Sequence, residues 1–308
     1  MKNLTRRSFI KSSGGILAIG AVDFTGMFPA KKAPKLCFST LGCPDWSVDH
    51  IVDFAVNHHF QALEIRGIER QVDLSKSPHF STETAIKETR KKITGKGLKI
   101  AVLGSSAALH HPEGAERNKS IDEAKRFISL ANTLDCPFIR VFPNNLPKDR
   151  DKEQTLQLIA KTFSELGDFA KDSGVTVLME THGDVVHAAD LENVMNNVGN
   201  KKNTGLVWDV TNMWSVTKES PTDVYARLKK WIRHTHLKDL KIVGDEHVYT
   251  LFTEGEAPVF EAIDLLYKNN YKGYYSFEWE KLWHPEIAEP EIAFAGFSDK
   301  MREHFAAK

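Results

Sequence analysis

From residue 36 onward, short apolar runs alternate with longer stretches in which apolar positions recur three and four apart. The runs are LCFST (36–40), ALEIR (62–66), LKIAVLG (98–104), FIRVF (138–142), VTVLME (175–180), TGLVWD (204–209), IRHTHL (232–237) and GYYSFE (273–278). Each is rich in Val, Ile, Phe or Tyr and has the length of a buried strand. Helical spacing marks SVDHIVDFAVNHH (47–59), STETAIKETRKKITGKG (81–97), NKSIDEAKRFISLANTL (118–134) and DKEQTLQLIAKTFSELGDFAKDSG (151–174), several of which open on Ser, Thr or Asp caps. Pro258 starts a helix after TEGEA, and EPEIAFAGFSDKMREHFAAK (289–308) is the last one. Eight strand–helix units spaced roughly 25–45 residues apart predict the α/β class and a (β/α)8 TIM barrel. An open doubly wound sheet would want a phosphate fingerprint after its first strand, and STLGCPDW offers no G-x-G-x-x-G.

The start of the chain departs from this pattern. MKNLTRRSFIKSSGGILAIGAVDFTGMFPA pairs a charged region and adjacent arginines with a weakly apolar run that is too short, and broken by Asp23, to span a membrane. Residues 1–33 are expected to be a twin-arginine-type export signal, and 34–308 a single barrel domain in the periplasm. That route carries folded proteins. Composition is ordinarily globular, with 41% hydrophobic and 27% charged residues, which argues against disorder. The overall charge of zero conceals a basic leader, Lys2, Arg6, Arg7 and Lys11 against Asp23, and hence an acidic body. An acidic body lacks the footprint of a nucleic-acid binder. Cys37, Cys43 and Cys136 are too few for a disulfide framework and are expected as free thiols.

In a barrel, the carboxyl ends of the strands converge on the face where active sites sit. Those ends carry Glu64 and Arg66; His110 and His111; Arg140; Glu180 and His182; Asp209; His234 and His236; Glu278 and Glu280. Four consecutive strands thus each offer a metal-competent group: Glu180, Asp209, His236 and Glu278. An oxygen-rich set with one imidazole suits Mn²⁺ or Mg²⁺, with Co²⁺ or Zn²⁺ tolerated. His234 is expected to be structural. Around the set, Arg140 is read as binding an anionic or polyhydroxylated ligand or pairing with Glu180 or Glu64. His182 is read as a contact to a substrate hydroxyl or an outer partner of the ligands, Lys238 as a contact to a developing oxyanion or a strand cap with Asp239, and Glu280 as a neighbour of Glu278. Glu64 and His284 complete the expected substrate contacts, the latter within EKLWHPE (280–286), a candidate lid.

The motifs LMETHG (178–183), LVWDVTN (206–212), THLKD (235–239) and SFEWE (276–280) resemble the xylose isomerase-like superfamily of TIM barrels. Within it, the similarity is to the sugar phosphate isomerase/epimerase group that includes ketose 3-epimerases. The resemblance implies that Glu180, Asp209, His236 and Glu278 bind one divalent cation and that Glu180 and Glu278 also move protons. Two positions depart from the family pattern. Asn212 stands where many members have a histidine, which changes a sugar contact. Gly255 is followed by Glu256 where a Gly-x-Gly is common, which alters a loop expected to bind phosphate or hydroxyl groups. The expected activity is isomerisation or epimerisation of a non-phosphorylated sugar or keto-sugar through an enediolate. A keto-glycoside lyase using the same first step is the alternative. A metal-dependent nuclease like the endonuclease IV relatives would want more histidine ligands, for which His110, His111, His182 and His187 stand available, and a basic groove.

Overall fold

Each apolar run pairs with its neighbours in a computed structural model that describes residues 33–199 and 201–308. The expected export signal lies outside the described residues. The strands are β1 (Leu36–Ser39), β2 (Ala62–Ile65), β3 (Lys99–Ala108), β4 (Phe138–Phe142), β5 (Thr176–Glu180), β6 (Thr204–Asp209), β7 (Ile232–Leu237) and β10 (Tyr275–Phe277). They close in the order β1-β10-β7-β6-β5-β4-β3-β2, parallel throughout, which is the predicted barrel. The helices are α1 (Val48–Asn57), α2 (Glu83–Gly95), α3 (Ala115–Thr133), α4 (Lys152–Ala170), α5 (Ala188–Val198), α6 (Val210–Thr217), α7 (Pro221–Leu228), α8 (Val259–Lys268) and α9 (Pro290–Ala306). Ala33–Lys308 forms one compact unit.

Local chemistry sets the helix starts. The side chains of Ser47, Thr82, Asp151 and Ser220 accept the backbone N–H groups of His50, Ala85, Gln154 and Asp223. Each such cap contributes about 1 kcal/mol. The apolar core is continuous, running from Phe38, Phe294 and Phe297 through Trp208 and Trp279 to Phe163. Most tryptophans pack as expected, with Trp279 Nε1–H donating to Ala288 O at 2.9 Å. All three cysteines are buried and free.

One element was not predicted. β8 (Asp239–Val243) and β9 (Glu246–Thr250) form an antiparallel hairpin directly after β7. Gly244 at its tip has φ +64°, and a Gly-Asp pair between two β-rich runs is a recognised turn signal. The hairpin matters because it brings Tyr249 to the barrel mouth. The loop after it wraps Asp239, whose carboxylate accepts the N–H groups of Leu240, Thr253, Gly255 and Ala257 at 2.9–3.1 Å. A Cβ at Gly255 would collide with the Asp239 carboxylate. The described role of Gly255 is therefore to let the loop close on Asp239.

Candidate metal centre

Register alone brings two of the four expected ligands together, since Asp209 on β6 is the direct partner of His236 on β7. Glu180 ends β5, and Glu278 follows β10, its N–H bonded to Leu237 O at 3.0 Å. The strand ends are also pinned laterally. Thr181 Oγ1 accepts the Asp209 N–H at 2.9 Å, and Thr211 Oγ1 donates to Lys238 O at 2.6 Å. Asp209 doubles as the N-cap of α6, its Oδ1 taking the Asn212 N–H at 2.8 Å, which leaves Oδ2 for the centre.

One donor atom from each of Glu180, Asp209, His236 and Glu278 lies within 4.8 Å of all the others. His236 Nδ1 sits 3.4 Å from Glu180 Oε1, 3.2 Å from Glu278 Oε1 and 4.0 Å from Asp209 Oδ2. All four residues are at most 4% exposed. His236 Nδ1, Asp209 Oδ2 and Glu180 Oε2 make no hydrogen bond of good geometry and are faced by charge instead: two carboxylates at His236 Nδ1, Lys238 Nζ at 2.8 Å from Asp209 Oδ2 and Arg140 Nε at 3.0 Å from Glu180 Oε2. Three carboxylates and an imidazole converging on one point fit a hard or borderline divalent cation. Without one, burial opposes charge on His236, but Glu278, Glu64 and Glu180 hold its pKa well above the ordinary value.

The far side of His236 is occupied too. Its Nε2 faces both oxygens of Glu64, at 3.0 and 3.1 Å, and His234 Nε2 reaches Glu64 Oε2 at 2.9 Å. A carboxylate behind the imidazole fixes the ring and the tautomer that leaves Nδ1 free. Glu64 is fully buried, with burial opposed and outweighed by His236 and His234, so its carboxyl is held below the ordinary range. It was expected to touch substrate; the structure instead seals it beneath His236, away from the pocket. His234 sits beside it, and Glu64, His234 and His236 form a second buried group of donors within 4.8 Å of one another.

Lys238 is 1% exposed and bridges three acids: Asp209 Oδ2 at 2.8 Å, Glu278 Oε2 at 2.7 Å and Glu280 Oε1 at 2.7 Å. Burial disfavours its charge, but Asp209, Glu278 and Glu280 raise its pKa well above the ordinary value. Burial likewise opposes the charge on Glu278, yet His236 and Lys238 hold that carboxyl well below its usual range. Asp209 goes the other way. Burial pushes it up to about 7, with Lys238 opposing and Glu278 and Glu180 reinforcing the rise. Glu280 Oε1 also accepts from Tyr249 OH at 3.1 Å, a contact missed with the hairpin.

A pocket of about 90 Å³ opens on the centre, walled by Glu180, Glu278, Glu280, His182, Lys238 and Arg140, with Arg66, Phe142, Leu41 and Trp283 completing it. His182 is oriented by Asn144, whose Oδ1 lies 3.1 Å from His182 Nδ1, and packs beside Phe142. Arg140 Nε is 3.0 Å from Glu180 Oε2, one of the two pairings expected for it. Two other expected contacts lie elsewhere. Asn212 enters only through its backbone at the α6 start. His284 stands outside, 3.3 Å from Glu286 and 3.9 Å from Glu280, while its neighbour Trp283 takes the pocket wall. The His110 and His111 rings pack against each other, tilted by 37° with centroids 4.1 Å apart. Neither belongs to a metal-competent cluster among the described residues, nor do His182 and His187.

Residues 52–296 match the profile of the xylose isomerase-like TIM barrel family. A curated relative, 3-dehydroshikimate dehydratase from Bacillus anthracis, is 23% identical over 205 residues, spanning 66% of this chain and 70% of its own. Among solved structures, D-psicose 3-epimerase from Clostridium cellulolyticum superposes with a TM-score of 0.69 at 15% identity, covering 88% of this chain and 99% of that one. The 3-keto-D-glucoside 4-epimerase of E. coli gives 0.68 at 13% identity, with 88% and 99% covered.

Proposed function

Because the chain belongs to the xylose isomerase-like TIM barrel family, we propose that it is a divalent-cation-dependent isomerase or epimerase that moves a proton beside the carbonyl of a small sugar or keto-sugar. One observation carries this reading: four buried donors at neighbouring strand ends, within 4.8 Å of one another, at the base of a pocket. Glu180, Asp209, His236 and Glu278 would hold the cation, Mn²⁺ by preference, with Mg²⁺, Co²⁺ or Zn²⁺ as alternatives. Such a cation would supply Lewis-acid polarisation of a carbonyl and an adjacent hydroxyl.

The protein supplies the proton transfers. Glu180 and Glu278 approach the centre from different strands, so one carboxylate removes the proton beside the carbonyl. The other returns a proton to the opposite face, giving an epimer, or to the next carbon, giving an isomer. Lys238 keeps Glu278 ionised and aimed, and its ammonium stands where a developing oxyanion would need a donor. His182 and Glu280 offer the pocket polar atoms for substrate hydroxyls.

The dehydratase relative favours a second outcome of the same step. With a leaving group on the carbon beyond, proton removal is followed by β-elimination, which on a keto-glycoside makes the enzyme a lyase. The reading also includes export of the barrel to the periplasm by the leader over residues 1–33. It has no nucleic-acid partner and, once the leader is removed, no membrane contact. Sugar phosphates are cytosolic, so the substrate is taken to be non-phosphorylated.

The test is deuterium incorporation from D₂O, followed by NMR, over ketoses, aldoses, 3-keto-glycosides and uronates with Mn²⁺ or with chelator. Cation-dependent deuterium beside a carbonyl is expected, and the product distinguishes epimer, isomer and elimination. No exchange on any of these by metal-loaded protein would overturn the proposal.

A further inference from the structure

Two guanidinium groups share one wall of the pocket, and they are not equally provided for. Arg140 on β4 has Glu180 at 3.0 Å, donates from Nη1 to Ser105 O at 2.7 Å, and lies over the Phe142 ring at 3.8 Å. Arg66, just past β2, is only 5% exposed and has no carboxylate within ion-pair distance among the described residues. Its Nη2 donates to Ser106 Oγ at 3.0 Å, and its Nη1 has no partner at all. Burying a charge without a counter-ion costs several kcal/mol. Burial, then the neighbouring Arg140, lower its pKa to about 10 against the more distant Glu278, Glu123 and Glu180, which raise it, so it remains a cation at neutral pH.

The backbone makes room for this arrangement. Gly104 on β3 is the register partner of Arg140. A Cβ there would lie 2.6 Å from Arg66 Cδ and 3.1 Å from Arg140 Nη2. The two side chains occupy the space that any other residue at 104 would fill. The register of β3 shifts beyond Gly104, and Ser106, which anchors Arg66, falls in that irregular stretch. Both guanidiniums line the same small pocket as Glu180 and Glu278.

We propose that Arg66, backed by Arg140 across Gly104, is an anion subsite and that the substrate of the proton-transfer centre carries a carboxylate, as a uronate or other keto-acid sugar does. The inference rests on the functional reading above for the location of the reacting carbonyl, and deepens it by naming the substrate's charge. A planar carboxylate matches the guanidinium fork with two parallel N–H···O bonds. Arg66 Nη1 provides the free donor. With the carboxylate held on the β2–β4 side, the carbonyl end of a short chain or ring reaches toward Glu180 and Glu278. A neutral sugar would leave Arg66 buried and unpaired.

The test is calorimetric titration of the Mn²⁺-loaded protein with D-glucuronate against D-glucose, D-galacturonate against D-galactose, and glucose 6-phosphate. Each uronate is expected to bind at least about tenfold tighter than its hexose, since a charge-assisted bidentate pair replaces a neutral contact. Arg66→Met should remove that preference while Mn²⁺ affinity holds. Gly104→Ala displaces the guanidinium without removing it and should weaken the preference, which keeps the test available if Arg66→Met fails to fold. Uronates binding no better than hexoses, Arg66→Met weakening both equally, or a stronger preference for the phosphate would each overturn the proposal. Because the readout is binding, a protein that prefers uronates yet exchanges no deuterium leaves this proposal standing and sinks the proton-transfer reading instead.

Discussion

Strands β5, β6, β7 and β10 bring three carboxylates and an imidazole to the barrel mouth, while β2 and β4 bring two guanidiniums to the same opening. Both halves gather groups that repel one another in a buried place. They differ in how far the protein compensates its own charge. On the acidic side Lys238 neutralises part of the excess, and the donor atoms still converge on one point around His236 Nδ1. On the basic side Arg140 is answered by Glu180, while Arg66 has Ser106 but no ion-pair contact and an unpaired Nη1. Both residual imbalances point outward from the chain, one to a cation and the other to an anion. Uncompensated buried charge is thus a better guide to what the site takes than the presence of ionisable residues.

Substitutions can break this contrast in order of decreasing effect. Glu278→Gln should cost about 1,000-fold in deuterium exchange, the range of a lost general base, with the fold intact by circular dichroism. On the basic side, stability separates the two arginines. In metal-free protein Arg140→Met leaves the Glu180 carboxylate buried without its partner and should destabilise by about 3 kcal/mol in urea unfolding. Arg66→Met removes a charge that has no ion-pair partner and should be neutral or stabilising. Equal losses for both would erase the distinction. Glu64→Gln should weaken Mn²⁺ binding by about 10–100-fold, because the imidazole ligand loses the carboxylate that orients it. The gentlest test is pH. Asp209 carries a proton below about 7 in the metal-free protein, and that proton competes with the cation. Mn²⁺ affinity should therefore fall by at least about tenfold per pH unit below 7, and the raised pKa of the His236 imidazole extends the decline above 7. An affinity flat from pH 5 to 8 would remove Asp209 from the site.

The same contrast governs what could be read from the chain. The acidic half was legible because each donor ends an apolar run, and parallel strand ends meet on one face whatever the side chains between them. The carboxylate behind His236 was not: Glu64 and His234 are 170 positions apart and meet across the barrel interior. Arg66 was visible at a strand end, but its importance depends on Gly104 lying opposite Arg140, a matter of register that no local pattern carries. The hairpin was passed over because DLKIV and EHVYT are partly exposed and mixed in polarity, although Gly244-Asp245 marks its turn. Asn212 and Gly255, read as departures in substrate contact, act here through backbone geometry, one at a helix start and the other beneath Asp239.

The central claim, a single divalent cation held by four strand ends, is tested most directly by anomalous diffraction at the manganese edge from crystals of the Mn²⁺-loaded protein. The account predicts one strong peak within about 2.0–2.3 Å of Glu180, Asp209, His236 Nδ1 and Glu278, with Glu64 still behind the imidazole. No peak there, or a peak centred among Glu64, His234 and His236 instead, would contradict it.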